Sequence, residues 1–242
     1  MLDSAVYEPS NYVYGTIKKE TLVWMEEILR EAQDNQEEVI VVAHHNLLSE
    51  SRLYTTEVTL TNNGEVISLL NRYHVKLYLS GHLHLQRIRE YRKEPGVEGT
   101  GLTEVVTGAF AMYPFPFGKI LWQDERIHYI KEETQMEQDL REGGLAEFQR
   151  VYAIKIGGGI WGIPEDMKKE MYGAYTDLIL SYVEGKVVDE KEFRQRKAFE
   201  YFDRFLGEED ETMLGVERML RDTKQDNNHA EIDLSGTSEK LQ

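Results

Sequence analysis

Two short apolar runs constrain the fold of this chain more than any other feature: EVIVVA at residues 38–43 and VKLYLS at residues 75–80. Each is continuous, too short for a buried helix and bounded by polar residues, so both read as buried strands. Ahead of the first, TIKKETLVWMEEILREAQDN places Leu22, Met25, Leu29 and Ala32 at spacings of three and four, the stripe of an amphipathic helix. Between the runs lie a polar, irregular stretch from Asn46 to Thr61, read as a long loop, and NNGEVISLLNRYH. The latter predicts a short helix with an Asn start signal and an apolar face of Val66, Leu69, Leu70 and Tyr73. Helix, strand, loop, helix, strand is the alternation of an α/β fold.

Beyond Gly81 the period changes. QRIREYR and RIHYIKEE alternate apolar and polar residues, and LTEVVTGAF and GKILWQ also read as strands. These four are expected to form hairpins, with turns at PGVEGTG and YPFPFG. The aromatic run Tyr113, Phe115 and Phe117 is expected to pack under the sheet, the alternative being that it shapes a substrate pocket. From about Met136 the pattern is helical. Met167, Met171, Tyr175, Leu178 and Tyr182 fall on one stripe, Phe193, Phe199, Phe202 and Leu206 near another, and ETMLGVERMLRD is a third helix. IKIGGGIWG, from Ile154 to Gly162, lacks the Lys-Ser/Thr of a phosphate-cradling loop and reads as a turn. The chain therefore divides into a sheet-containing part over 1–131, an acidic helical extension over 132–225 and a polar tail over 226–242 that is expected to fray.

Composition narrows the chemistry. The 242 residues include no cysteine, which excludes disulfides and thiolate metal sites. The formal charge of −16 disfavours nucleic acid and anionic membrane as partners, because a strongly acidic surface repels phosphates. The local basic stretch RIREYRKE, from Arg87 to Glu94, reads as a solvated strand face. No apolar run is long enough to span a bilayer and no secretion signal precedes the first helix, so a cytoplasmic location is expected of the chain as given.

Four of the seven histidines follow the two apolar runs: His44 and His45 after the first, His82 and His84 after the second. Ligands of open α/β sheets bind beyond the carboxyl ends of the strands. His82 and His84 are two apart, so an extended backbone puts both on one face, while Gly81 frees the turn that aims them. Imidazole is the commonest neutral ligand for first-row divalent metals. His44, His82 and His84 are therefore the candidate metal ligands. His74, His128 and His229 are read as structural or exposed.

VVAHHNLL followed by LYLSGHLHLQ, and preceded by LDSAVYEPSNYVYGTIKKETLVWMEEIL, resembles the C-terminal half of a calcineurin-like metallophosphoesterase over about residues 1–130. Leu2, Asp3, Ser4, Gly15, Trp24 and Met25 fall at positions typical of that family. The resemblance implies an α/β fold, the C-terminal half of an α/β/β/α sandwich of two mixed sheets, here followed by the helical extension. It implies a centre of two divalent metal ions (Mn, Fe or Zn), with His44 and His82 on one ion, His84 on the other and His45 in a second-shell or substrate-side role. The family's Asp-x-His, Gly-Asp and Gly-Asn-His elements do not occur, and DNNHAE at Asp226 only echoes the last of them. The expectation is a metal-dependent phosphoester hydrolase, a phosphodiesterase among the possibilities, that is weakly active or inactive alone. Its substrate would be a phosphoester small molecule or a phosphoprotein, and a separate N-terminal half would be its partner. The alternative is a non-catalytic helical interaction module on a residual phosphoesterase scaffold.

Overall fold

The computed structural model of the protein describes residues 1–49, 51–92, 101–157 and 162–235. The first part alternates as expected: α1 (Lys19–Asp34), β1 (Ile40–Val42), α2 (Asn63–Arg72) and β2 (Leu77–Ser80). Helix α1 buries Met25, Leu29 and Ala32, and α2 buries Val66, Ile67, Leu69 and Leu70. Asn62 precedes α2 but does not cap it. Its side-chain amide is spent on Ile17, accepting from the backbone N–H at 3.0 Å and donating to the carbonyl at 2.8 Å. A polar residue ahead of a helix is thus used to hold the N-terminal segment against it.

Strands β3 (Arg87–Glu90) and β4 (Thr103–Val106) pair antiparallel, and β5 (Pro116–Gln123) and β6 (Arg126–Glu133) form a second antiparallel pair. β4 also runs parallel beside β2, giving one mixed sheet in the order β1-β2-β4-β3. The turn expected at PGVEGTG falls almost wholly outside the described residues, only Gly101 lying within them. The helical part comprises α3 (Gln138–Gly157), α4 (Glu165–Val183), α5 (Glu190–Arg194), α6 (Lys197–Phe205) and α7 (Glu211–Asp222). Residues 154–157 of the glycine-rich stretch belong to α3, and 158–161 lie outside the described residues.

The tail departs from expectation. His229–Asp233 forms β7, which pairs antiparallel with β6 and completes a three-stranded sheet in the order β5-β6-β7. The reason is an alternation hidden in a polar segment. Ile232 and Leu234 are buried while His229, Glu231 and Asp233 face solvent. DNNHAE therefore marks a structural junction. Asn227 is fully buried; its side chain accepts from the Ile88 N–H at 3.0 Å and its carbonyl accepts from Gln86 Nε2 at 2.8 Å.

Three apolar clusters set the layers. One joins α1, α2 and the outer face of the first sheet through Met25, Leu29, Val41, Leu70 and Tyr78. A second lies between the sheets, where Leu77 and Val105 meet Ile127, Tyr129, Ile232 and Leu234. The third fills the helical part with Met171, Leu178, Tyr182, Phe193, Phe202 and Leu206, and it includes Leu85 from the turn before β3. The helical extension consequently shares its core with the sheet part.

Arg87 is the residue that fastens the two. It was expected on a solvated strand face, yet it is buried, with its guanidinium 4.1 Å from the centroid of the Tyr182 ring and Nη1 donating to the Tyr182 carbonyl at 3.0 Å. A desolvated cation–π contact of this kind contributes about 2 kcal/mol, and with the Gln86 and Tyr182 carbonyls that accept from Nη1 at 2.9 and 3.0 Å it offsets part of the several kcal/mol that burying the charge costs.

β5 is the least protected element. Its outer edge has no strand partner among the described residues, and Ile120, Leu121 and Trp122 are all more than a third exposed. An apolar, unpaired edge templates association with another chain. The chain is expected to self-associate through this strand. Leu121→Lys combined with Trp122→Lys should weaken dimerisation at least tenfold in sedimentation-equilibrium measurements, with helicity unchanged.

Candidate metal centre

The sheet ladder continues past the ends of β1 and β2. The Ala43 N–H donates to the Leu79 carbonyl at 3.1 Å, and the Gly81 N–H donates to the His44 carbonyl at 3.1 Å. His44 and His82 are thereby delivered side by side at the carboxyl ends of neighbouring parallel strands. His44 Nε2 lies 3.2 Å from His82 Nδ1, and the rings meet edge to face with centroids 5.1 Å apart. His45 completes the group: the three residues offer ring nitrogens that all lie within 4.8 Å of one another, a set that can hold a metal ion.

The turn after β2 is not the extended segment that the His-x-His spacing suggested. His82 has φ +63° and His84 φ +54°, both left-handed, and the Leu83 N–H donates to the Gly81 carbonyl at 2.7 Å. Left-handed backbone at a non-glycine residue costs of order 1 kcal/mol or more and is retained where the surroundings impose it. The tight turn sends the two rings to different places. His82 turns to His44, whereas His84 is outside the three-histidine group and lines a neighbouring cavity with Leu83 and Tyr113.

Hydrogen bonds fix the tautomers. His82 Nε2 faces the Glu57 carbonyl at 3.2 Å. A carbonyl only accepts, so Nε2 carries the proton and Nδ1 accepts from His44 Nε2–H, a hydrogen bond that a metal ion would replace. Burial, and next the neighbouring His45, hold the His82 imidazole below its usual titration range, which keeps it neutral as a ligand must be. His45 is committed differently. Its Nε2 donates to the Val13 carbonyl at 3.0 Å, so its Nδ1 accepts from the Ser4 hydroxyl at 2.8 Å. Both ring nitrogens are spent, and burial again lowers the titration range. His45 thus locks the N-terminal segment beneath the pair. Gly15 permits this closure, since a Cβ there would fall 2.2 Å from His45 Nδ1.

A buried carboxylate supports the whole arrangement. Glu104 in β4 is fully buried and accepts from the Leu47 N–H at 2.9 Å, the Leu48 N–H at 2.6 Å and the Ser80 hydroxyl at 2.5 Å. It therefore clamps the loop that leaves His44 and His45 to the strand end that precedes His82. Burial pushes its titration range up, and these hydrogen bonds oppose that shift. Asn46 adds to the clamp through Nδ2, which donates to Ser80 Oγ at 2.9 Å. Sequence reasoning missed Glu104. The available signal was a lone acidic residue inside the apolar run LTEVV.

The remaining histidines are elsewhere. His74 follows α2 with φ +56°. His128 in β6 faces Glu231 at 3.8 Å, and His229 pairs with Asp226 at 2.7 Å. Of the aromatic run, Tyr113 and Phe115 face α3 rather than packing under the sheet, and Phe117 is exposed on β5. The physical reason is the close passage of α3 at Gly144, where a Cβ would fall 2.6 Å from the Phe115 ring.

With both His45 nitrogens engaged, His44 and His82 are the two donors left, and their ring nitrogens stand within hydrogen-bond distance of each other. Nitrogen–metal bonds of about 2.0–2.1 Å at a tetrahedral angle put two ligand nitrogens about 3.3 Å apart, and His44 and His82 present theirs at 3.2 Å. No carboxylate joins the group among the described residues, so the two-ion arrangement has no bridge here.

Glu104→Gln should test the clamp. One amide NH₂ would oppose a backbone N–H that the carboxylate accepts, a loss of about 1–3 kcal/mol. Urea unfolding should show that destabilisation, and Leu47 and Leu48 amide hydrogens should exchange faster.

No protein-family model matches the chain, and no curated protein matches it.

Proposed function

We propose that His44 and His82 bind one divalent transition-metal ion and that the chain carries the histidine side of a metal-dependent phosphoester hydrolase. The observation that carries the first part is the 3.2 Å separation of His44 Nε2 and His82 Nδ1, with the Glu57 carbonyl holding the tautomer that ligation needs. Zinc, manganese and iron all accept imidazole. A bound ion supplies Lewis-acid polarisation of a phosphoryl oxygen. The chain's own residues hold and orient: Glu104 fixes the loop, Ser4 and Val13 fix His45, and the turn at Gly81 aims His82.

The hydrolase part rests on the resemblance of the His-His and Gly-His-x-His elements to metallophosphoesterases. It draws support from two sheets that face one another with α1 and α2 outside the first. His84 is assigned to a second ion, which requires a carboxylate that the described residues do not bring to the cluster. Carboxylates supplied by a further segment, in the same polypeptide or another, would complete the centre. The substrate class is a phosphoester, small or protein-borne.

Calorimetric titration with zinc should give about one ion per chain. His82→Asn should weaken binding at least tenfold while preserving the fold, because asparagine tolerates a left-handed backbone; His128→Asn should have no effect. Hydrolysis of bis(p-nitrophenyl) phosphate by the chain alone should stay at background. Equal zinc affinity in wild type and His82→Asn would remove the metal site, and brisk hydrolysis by the isolated chain would remove the need for added carboxylates.

A further inference from the structure

Beside the histidine group the fold leaves a cavity of about 420 Å³, within the range of small-molecule sites. Its walls come from five separate parts of the chain: Tyr54 from the loop after β1, Leu83 and His84 from the turn after β2, Tyr113 from the segment before β5, Phe148 from α3 and Val183 from α4. The cavity thus exists only where the sheet part and the helical part meet.

The walls are aromatic and held in place. Phe148 is buried, with its ring 6.3 Å from Tyr113 and 4.4 Å from Tyr152. Arg141 lies 5.4 Å from the Tyr113 ring centroid and is itself paired with Glu133, which fixes the tyrosine from outside. The Tyr54 and Tyr152 side chains hydrogen-bond each other, so their polar ends are engaged and their rings present apolar surface. Polar chemistry in the lining comes chiefly from His84 and Glu147, whose side chains reach solvent. Phe148 packs against both Tyr113 and Tyr152, so these rings form one continuous aromatic wall, and such a wall gains from a flat π-system what an alkyl chain does not supply.

We propose that this cavity is a binding site for a flat aromatic group, with His84 at its rim. Resting on the function proposed above, that group is the aryl or heteroaryl portion of the phosphoester, seated so that its ester oxygen emerges beside His84. The ring-binding site itself does not depend on the metal reading, and the two are separable by experiment.

The probe is 4-methylumbelliferone, a flat bicyclic ring with no phosphate, titrated into the full chain by calorimetry without added metal. Saturable one-to-one binding is expected. Ala111→Trp, at an exposed lining position, and Val151→Phe, from α3, each fill the cavity and should weaken binding at least tenfold with unchanged thermal melting. His44→Asn should bind the probe within twofold of wild type. Absence of saturable binding, or full binding by both filled variants, overturns the proposal. With zinc present, 4-methylumbelliferyl phosphate should bind more tightly than the free phenol. Ring binding without that gain upholds the cavity site and counts against the metal-hydrolase reading alone.

Discussion

The structure depends on one buried carboxylate. Glu104 sits at the centre of the first sheet, on the strand that lies between β2 and β3, and takes hydrogen bonds from two successive backbone amides and a hydroxyl. A buried charge costs several kcal/mol in desolvation, and those donors offset the cost only if the chain after β1 follows one path. That path carries His44 and His45. The same carboxylate holds Ser80, one residue before Gly81 and two before His82. A single acidic side chain thereby sets the relative position of two histidine-bearing turns that are nearly forty residues apart in sequence.

The second constraint is the junction between sheet and helices. Arg87 against Tyr182, Asp222 against Arg52 at 3.0 Å, and Asn227 against Gln86 and Ile88 tie α4, α7 and the start of the tail to β3 and the loop after β1. Each tie is polar and buried on at least one side, so geometry is enforced where apolar packing alone would allow sliding. The turn from Gly81 to Gln86 is trapped between this junction and the Glu104 clamp. Its left-handed histidines are a consequence: the strand must leave the sheet, present His82 to His44 and deliver Leu85 to the helical core within a few residues.

How much of this was legible beforehand follows from the range of the interactions involved. Apolar periodicity located α1, α2, β1, β2 and the helical stripes, because each reflects burial on one face of a local element. The placement of His44 and His82 at neighbouring strand ends was legible, because both follow apolar runs that read as strands. Arg87, β7 and Glu104 were misread or overlooked for a shared reason. Each is polar in sequence and becomes buried only through a partner more than twenty residues away: Tyr182, β6, and the Leu47–Leu48 amides. The parallel pairing of β2 with β4 escaped notice for the same reason, since strand order is a tertiary choice.

The sequence by itself determined the helices and strands whose apolar pattern is local, the absence of thiolate chemistry, and the candidacy of His44 and His82 as neighbouring imidazoles; β7 was not among them. Only the tertiary structure decided which nitrogens are available. His45 was expected in a supporting or substrate-side role, and the Ser4 and Val13 bonds commit both its nitrogens to support; His84 was expected with the ligands and lies at a cavity rim. Side-chain direction after a strand depends on backbone dihedrals that distant contacts impose. A spacing of two residues carries that information only while the chain stays extended, and here the clamp and the helical junction bend it.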